Sequence, residues 1–145
     1  MEKRLIYFIC TGNSARSQMA EGFAREMLGD QFEVLSGGLE PSTLHPFAVQ
    51  VMSEVGVDIS QQSSKEVDVD RLWSARIAVT LCGDAEERCP VTPPGVLRLH
   101  WPLRDPAKAT GSEAERLVTF RAIRDEIRDR MTDLATRYKI GSDAR

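Results

Sequence analysis

Cysteine is scarce in this chain of 145 residues, with three in all, and histidine is scarcer at two. Three is odd and too few for a disulfide scaffold, so the thiols are either inert or chemical, and a reducing, cytoplasmic setting is expected. Apolar runs reach only about five residues, far short of the ~20 needed to cross a bilayer as a helix. Met1-Glu2-Lys3-Arg4 runs straight into Leu5–Ile9, which predicts no secretory leader and no membrane attachment. Internal repeats, low-complexity tracts and Gly/Ser/Pro-rich linkers are lacking too. The formal net charge is −3, a mild value that argues against nucleic acid as the partner. What is left is one domain's worth of length, enough to bury roughly two thirds of the unfolded surface without a disulfide or metal staple.

Four short apolar runs read as strands: Leu5–Ile9, Phe32–Leu35, Ile77–Leu81 and Val96–Leu99. The first and third are continuous rather than alternating, as expected of parallel strands covered on both faces. Helical patterns separate them. Ser17–Leu28 places Ala20, Phe23, Ala24, Met27 and Leu28 on one stripe, and Pro46–Val55 opens on Pro46 and stops at Gly56. A weaker helical segment covers Val67–Trp73. Ser112 and Glu115 form a capping box ahead of Phe120, Ile123, Ile127, Met131 and Leu134 at helical spacing. Arg121 to Arg130 read as its solvated face. The expectation is a single α/β domain over residues 1–139, a four-stranded parallel sheet with helices on both faces, and a frayed tail over 140–145. Nothing demands association, so a monomer is expected.

In such a sheet, ligands bind outside the carboxyl ends of the strands. The residues there are Cys10, Ser36–Gly38, Cys82 and the stretch from His100 to Asp105. Cys10-Thr11-Gly12-Asn13-Ser14-Ala15-Arg16-Ser17 joins the first strand to the first helix. Gly12 permits a tight turn, successive backbone N–H groups can converge on an anion, and the helix start adds partial positive charge. Arg16 offers a planar fork suited to a tetrahedral oxyanion. Cys10 lies in the same field, and Ser17 can donate a hydrogen bond to its sulfur. Equally, a cysteine at a strand end reads as a small buried hydrophobe, free cysteine being among the most buried residue types.

Asp105-Pro106 sits on the same rim. Pro106 pushes Asp105 toward an extended conformation that can aim its carboxyl over the crevice, although a plain Asp-Pro turn explains the dipeptide as well. Cys82 and Cys89 lie seven residues apart. As a helix, that spacing is about 10.5 Å, whereas a disulfide needs Cα atoms roughly 4.4–6.8 Å apart. Pairing them therefore requires the segment to unwind, which Gly83 and Pro90, Pro93, Pro94 and Gly95 make plausible. Two structural thiols are the plainer reading, and without a nearby His or Cys the pair makes no zinc site. No metal is expected.

The loop resembles the phosphate-binding loop of the low-molecular-weight protein tyrosine phosphatases. More closely, Ile6–Ser14 and Arg16–Gly22, with Val79–Cys82, Cys89-Pro90 and Asp105-Pro106-Ala107, resemble the thioredoxin-coupled arsenate reductases built on that fold. Some relatives carry a cysteine where this chain has Ala15, a position needed neither as nucleophile nor as anion donor.

The resemblance implies an arsenate reductase serving arsenical detoxification. Cys10 would attack arsenate held by Thr11 to Ser17 with Arg16, and Asp105 would protonate the departing oxygen. Cys82 would then displace arsenite to give a Cys10–Cys82 disulfide, and Cys89 would move it to Cys82–Cys89, where thioredoxin reduces it. No bound cofactor is implied. Ala107 and Lys108 stand where phosphatases place aromatics for a phosphotyrosine ring, which favours a small inorganic oxyanion. By resemblance Asn13 holds the loop's shape with Ser36 beside it. Some relatives bind potassium through Asn13, Glu21, Ser36 and an acidic residue at or next to the position of Lys65, so the Lys65 ammonium can take the ion's place. The alternatives are a phosphatase with Cys82 and Cys89 idle, a reductase served by another thiol carrier, and an anion-binding or redox-sensing module without turnover.

Overall fold

The structure, a computed structural model, describes residues 3–83 and 92–143, with side chains up to residue 137. Strand β1 (Arg4–Cys10) is followed by α1 (Arg16–Leu28), β2 (Phe32–Gly38), α2 (Pro46–Ser53), α3 (Val69–Trp73), β3 (Ile77–Cys82), β4 (Leu97–Leu103), a 3₁₀ turn (Pro106–Lys108) and α4 (Glu113–Asp143). All three strand pairings are parallel, in the order β2-β1-β3-β4. The single-domain α/β sheet expected from the apolar runs is the one observed.

Every residue of β3, and of β1 beyond Arg4, is buried, because helices cover both faces of the central strands. On one face Ile6, Phe8 and Cys10 meet Met19, Phe23, Val51, Met52, Phe120 and Ile127 from α1, α2 and α4. On the other, Leu5, Tyr7, Ile9 and Ala78 are covered by Leu72 of α3 and by Ala75. Burying each large side chain contributes about 1.5–3 kcal/mol, so the larger cluster dominates the core. The chain leaves β1 toward β2 and returns across it to β3, so the strand order reverses between β1 and β3. The crevice at such a reversal is where a ligand fits, and here Cys10 and Cys82 end the two strands that flank it.

Local chemistry sets the helix ends. His45 caps α2 by accepting from the N–H of Phe47 ahead of Pro46. Asp68 caps α3. The capping box of α4 forms as expected, Ser112 and Glu115 exchanging side-chain to backbone bonds.

The sequence reading needs correcting at several elements. β2 runs on to Gly38, and β4 spans Leu97–Leu103 rather than Val96–Leu99, which draws Ser36, His100 and Trp101 into the sheet. α3 is only the Val69–Trp73 part of the weak segment, and α2 ends at Ser53, short of Val55. α4 spans Glu113–Asp143, since propagation adds a bond per residue and nothing before Gly141 interrupts it. Arg124 is not on a solvated face. It is 8% exposed and donates to the Val51 carbonyl and to Glu54, with Arg121 on the same carboxylate, tying α4 to the end of α2.

Candidate active site

The loop from Thr11 to Ala15 is shaped by what its carbonyls touch. Thr11 accepts from the N–H of Glu40, Gly12 from the N–H of Ser42 and the hydroxyl of Ser64, and Ser14 from the N–H of His45. Asn13 accepts from Gln18 Nε2 at 3.0 Å. In a trans peptide the C=O and the following N–H point opposite ways, so anchoring these four carbonyls outward turns the N–H groups of residues 12 to 15 inward. That is the geometry of an anion nest. It leads into α1, whose N-cap Ala15 makes no side-chain cap bond, so the helix start adds its partial positive charge to the nest.

Asn13 fixes this shape. Its backbone is left-handed (φ 46°), a region that Asn tolerates better than most residues, and its side chain is fully buried. Oδ1 accepts from the backbone N–H of Lys65 at 2.9 Å, and Nδ2 donates to Ser17 Oγ at 2.7 Å and Ser36 Oγ at 3.0 Å. A backbone N–H can only donate, so it determines which way the amide faces. Ser17 Oγ, which accepts from Asn13, also shares a hydrogen bond with Cys10 Sγ 2.8 Å away, and its own proton is free to serve a thiolate there. Cys10 is a buried free thiol at the end of β1. Gly38, its register partner on β2, admits this arrangement: an added Cβ would lie 2.6 Å from the Thr11 carbonyl oxygen and 2.8 Å from the Asn13 nitrogen.

Arg16 enters from the first turn of α1, fully buried. Its Nη1 donates to the carbonyl of Leu103 at 2.9 Å and, at 3.4 Å, to that of Leu81, at the carboxyl ends of β4 and β3. Nη2 lies 3.7 Å from Asp105 Oδ2. Asp105 caps the 3₁₀ turn, Oδ1 accepting from the N–H of Ala107, and its side chain stays 23% exposed. Proline at 106 and the cap thus hold a partly solvated carboxylate against the guanidinium, on the rim above the loop.

A second polar cluster backs the loop. Glu21, buried in α1, accepts from Ser36 Oγ and from Arg25. The Lys65 ammonium lies 3.4 Å from Glu21 and 3.3 Å from Ser36, and donates to the Ser63 carbonyl at 3.0 Å. Among the described residues no buried side-chain nitrogen or oxygen lacks a partner.

The structure therefore gathers Cys10, Asn13, Ser17, Ser36 and Lys65 into one hydrogen-bonded group and sets Arg16 against Asp105 beside it. Cys82 ends β3, buried, on the neighbouring strand. Cys89, with the Asp84–Val91 segment around it, lies outside the described residues. His100 bonds Thr80 at 2.7 Å and Trp101 packs 6.3 Å from Phe8, so both belong to the β4 wall rather than to the loop. Sequence reasoning missed Gln18, Ser64 and His45. Gln18 bonds Asn13 and Ser63, and Gln62 bonds Gln18 in turn. His45 stacks on Phe120, and its imidazole is held below the usual histidine range, chiefly by burial and then by Arg116, against the opposite pull of Asp105. No spacing pattern marks these residues; Asn-rich or Gln-rich loops carry no fixed partner in sequence.

A cysteine and an arginine bracket such a nest at the first strand-to-helix turn of a parallel sheet, an arrangement chemically suited to a tetrahedral oxyanion. The chain belongs to the low molecular weight phosphotyrosine protein phosphatase family, which it matches over residues 5–143. Within it, the chain is 53% identical over 135 residues to the arsenate reductase of Bacillus subtilis, covering 93% of this chain and 97% of that one. It is 46% identical over 137 residues to an arsenate reductase of Staphylococcus epidermidis, covering 94% of this chain and all of the relative. Among solved structures, it is similar to an arsenate reductase in the phosphate-binding state (33% identity, TM-score 0.74, 92% of this chain and 98% of the other). It is also similar to the thioredoxin-dependent arsenate reductase of Corynebacterium glutamicum (28% identity, TM-score 0.75, 96% of this chain and 63% of the other).

Proposed function

We propose that this chain reduces arsenate to arsenite, with Cys10 as nucleophile and thioredoxin as the source of electrons. The observation that carries the proposal is the Cys10 sulfur, bonded to Ser17 at the mouth of an anion nest, in a chain half identical to arsenate reductases. The nest and Arg16 hold the tetrahedral oxyanion. Cys10 displaces one oxygen, forming a sulfur–arsenic bond, and Asp105 gives that oxygen a proton so that it leaves as water. Cys82 attacks the Cys10 sulfur, the sulfur–arsenic electron pair stays on arsenic, and arsenite departs from a Cys10–Cys82 disulfide. Cys89 then attacks Cys82, freeing Cys10. A thioredoxin dithiol reduces the Cys82–Cys89 disulfide and is itself oxidised.

The sheet register supports the second step and shows what it costs. Ile9 pairs with Thr80, so carrying the register on puts the Cα atoms of Cys10 and Cys82 about 6 Å apart, from a ~4.8 Å strand spacing and ~3.3 Å rise. That is within disulfide range. Cys82 is disulfide-bonded in this structure while Cys10 is free, so the step calls for a reduced Cys82 and for the end of β3 to bring its sulfur toward Cys10. The ladder is already broken there by a register shift between Thr80 and Cys82.

The Lys65 ammonium supplies the positive charge beside Glu21 and Ser36, and turnover is expected to be indifferent to potassium. The enzyme acts as a cytoplasmic monomer with no bound cofactor. Among the described residues no helix is long and apolar enough to cross a membrane. The test is arsenite production from arsenate with thioredoxin, thioredoxin reductase and NADPH, set against hydrolysis of an aryl phosphate. Arsenite formation that is lost in Cys10→Ser and in Cys82→Ser supports the reading. Robust phosphatase activity with no arsenite, or turnover that needs glutathione or mycothiol instead, would refute it.

A further inference from the structure

The sheet face opposite α1 and α4 carries a concavity of about 420 Å³ between α3, the carboxyl end of β2 and the chain just before β4. Its walls are mostly apolar: Leu39, Val67, Val69, Trp73, Pro93 and Pro94. Val69 and Trp73 are each 60% exposed, although α3 needs neither of them to stay in place. That short helix is held by Leu72 in the core, by the Asp68 cap, and by the Tyr7 hydroxyl, which accepts from the N–H of Asp68. Tryptophan is the residue most enriched among interface anchors, and paired exposed apolar groups lining a groove mark a contact surface.

Chain arithmetic says what covers it. Thr92, on the groove wall, follows Cys89 by three residues. Three residues reach at most about 11 Å, so wherever Cys89 sits, its Cα is tethered within that radius of the groove. A standard interface buries about 800 Å² on each partner, a disc of radius ~16 Å. A protein that brings a thiol onto Cys89 therefore has Thr92–Pro94 and the groove beside them within the span of a standard contact surface.

We propose that the Val69/Trp73 groove is the docking surface for thioredoxin, taking the apolar surface around its attacking cysteine while that cysteine exchanges with the Cys82–Cys89 disulfide. This rests on the reading of Cys89 as the exported thiol. Val69 and Trp73 belong to α3 and not to the loop, so altering them should leave arsenate binding unchanged.

Steady-state arsenate reduction at varied thioredoxin concentration tests this, on the full chain and on Trp73→Glu, Val69→Glu and Trp73→Ala. Leu97→Glu, at the amino-terminal end of the edge strand β4, is the control. Each chain is also reduced, freed of thioredoxin and given arsenate, to read the single-turnover burst of arsenite. The expected result is a KM for thioredoxin raised at least tenfold in both glutamate variants and several-fold in Trp73→Ala. The kcat, the burst and the KM for arsenate should stay within twofold of the unaltered chain, and Leu97→Glu should leave every value alone. A thioredoxin KM within twofold in all three groove variants, or an equal rise in Leu97→Glu, would overturn the docking proposal. A normal burst in an unaltered chain that thioredoxin cannot turn over would instead overturn the underlying reading of the electron donor, and the groove's assignment with it.

Discussion

Replacing Asn13 is the sharpest perturbation of the loop, because its structural contributions separate cleanly. Asn13→Ala removes four side-chain hydrogen bonds, but three of the four partners keep others. Ser17 still meets Cys10, Ser36 still meets Glu21, and Gln18 still bonds the Asn13 and Ser63 carbonyls. The Lys65 N–H has no other acceptor among the bonds described, and a donor stranded this way costs about 1–3 kcal/mol. Alanine in a left-handed backbone adds about 1 kcal/mol. The three replaceable bonds add about 0.5 kcal/mol apiece, at the low end of the usual range. The sum is about 3.5–5.5 kcal/mol, a large part of the 5–15 kcal/mol that holds a domain folded. Asn13→Gly tolerates the positive φ and loses the same bonds, so it should be about 1 kcal/mol more stable than Asn13→Ala. Urea unfolding under reducing conditions measures both differences. Asn13→Ala within 1 kcal/mol of the unaltered chain would refute the claim that this amide organises the loop. A glycine variant no better than the alanine one would refute the backbone part of it.

Other perturbations follow from neighbouring contacts. Gly38→Ala pushes a Cβ onto backbone atoms of the loop, so it should cost about 1–3 kcal/mol and weaken phosphate or arsenate binding, read by calorimetric titration. Glu54→Gln should destabilise by about 1 kcal/mol at neutral pH by weakening the tie to Arg124. Arg121, and after it Arg124, holds the Glu54 carboxyl below its usual range. Its stabilisation is therefore complete above the unfolded carboxylate pKa and is lost as pH falls through the lower folded value, a loss absent in Glu54→Gln. The burial-depressed His45 gives the same sign at higher pH: below about 6.5 the unfolded chain takes up a proton that the folded one refuses, so stability falls until the folded value is passed. Melting curves of His45→Gln against the unaltered chain between pH 7 and 5 check this; parallel curves would contradict it.

The fold was readable because its signals are repetitive. Continuous apolar runs at Leu5–Ile9 and Ile77–Leu81 announce two buried parallel strands, and the stripe Ala20, Phe23, Ala24, Leu28 announces the helix packed on them. Strand ends were harder, since Ser36-Gly37-Gly38 and His100-Trp101 carry no apolar alternation and are held by register with β1 and β3. In the site, Cys10, Arg16 and Asp105 stood out because their chemistry is uncommon at strand ends. The partners of Arg16 did not: two are backbone carbonyls, and the carboxylate beside it, that of Asp105, is 89 positions away in sequence. Arg124 illustrates the converse. A charged residue among charged neighbours reads as solvent-facing, and only the packing of α2 against α4 reveals that it is buried on Val51 and Glu54.

The account turns on three cysteines working in sequence, and one measurement addresses that directly. The fully reduced chain, given excess arsenate without thioredoxin and then trapped in acid, is digested and its disulfides mapped by mass spectrometry alongside a count of arsenite released. The account predicts one arsenite per chain, a Cys82–Cys89 disulfide, and Cys10 recovered as a free thiol. Arsenite released from a chain whose cysteines all remain reduced, or whose disulfide still contains Cys10 after turnover is complete, would contradict it.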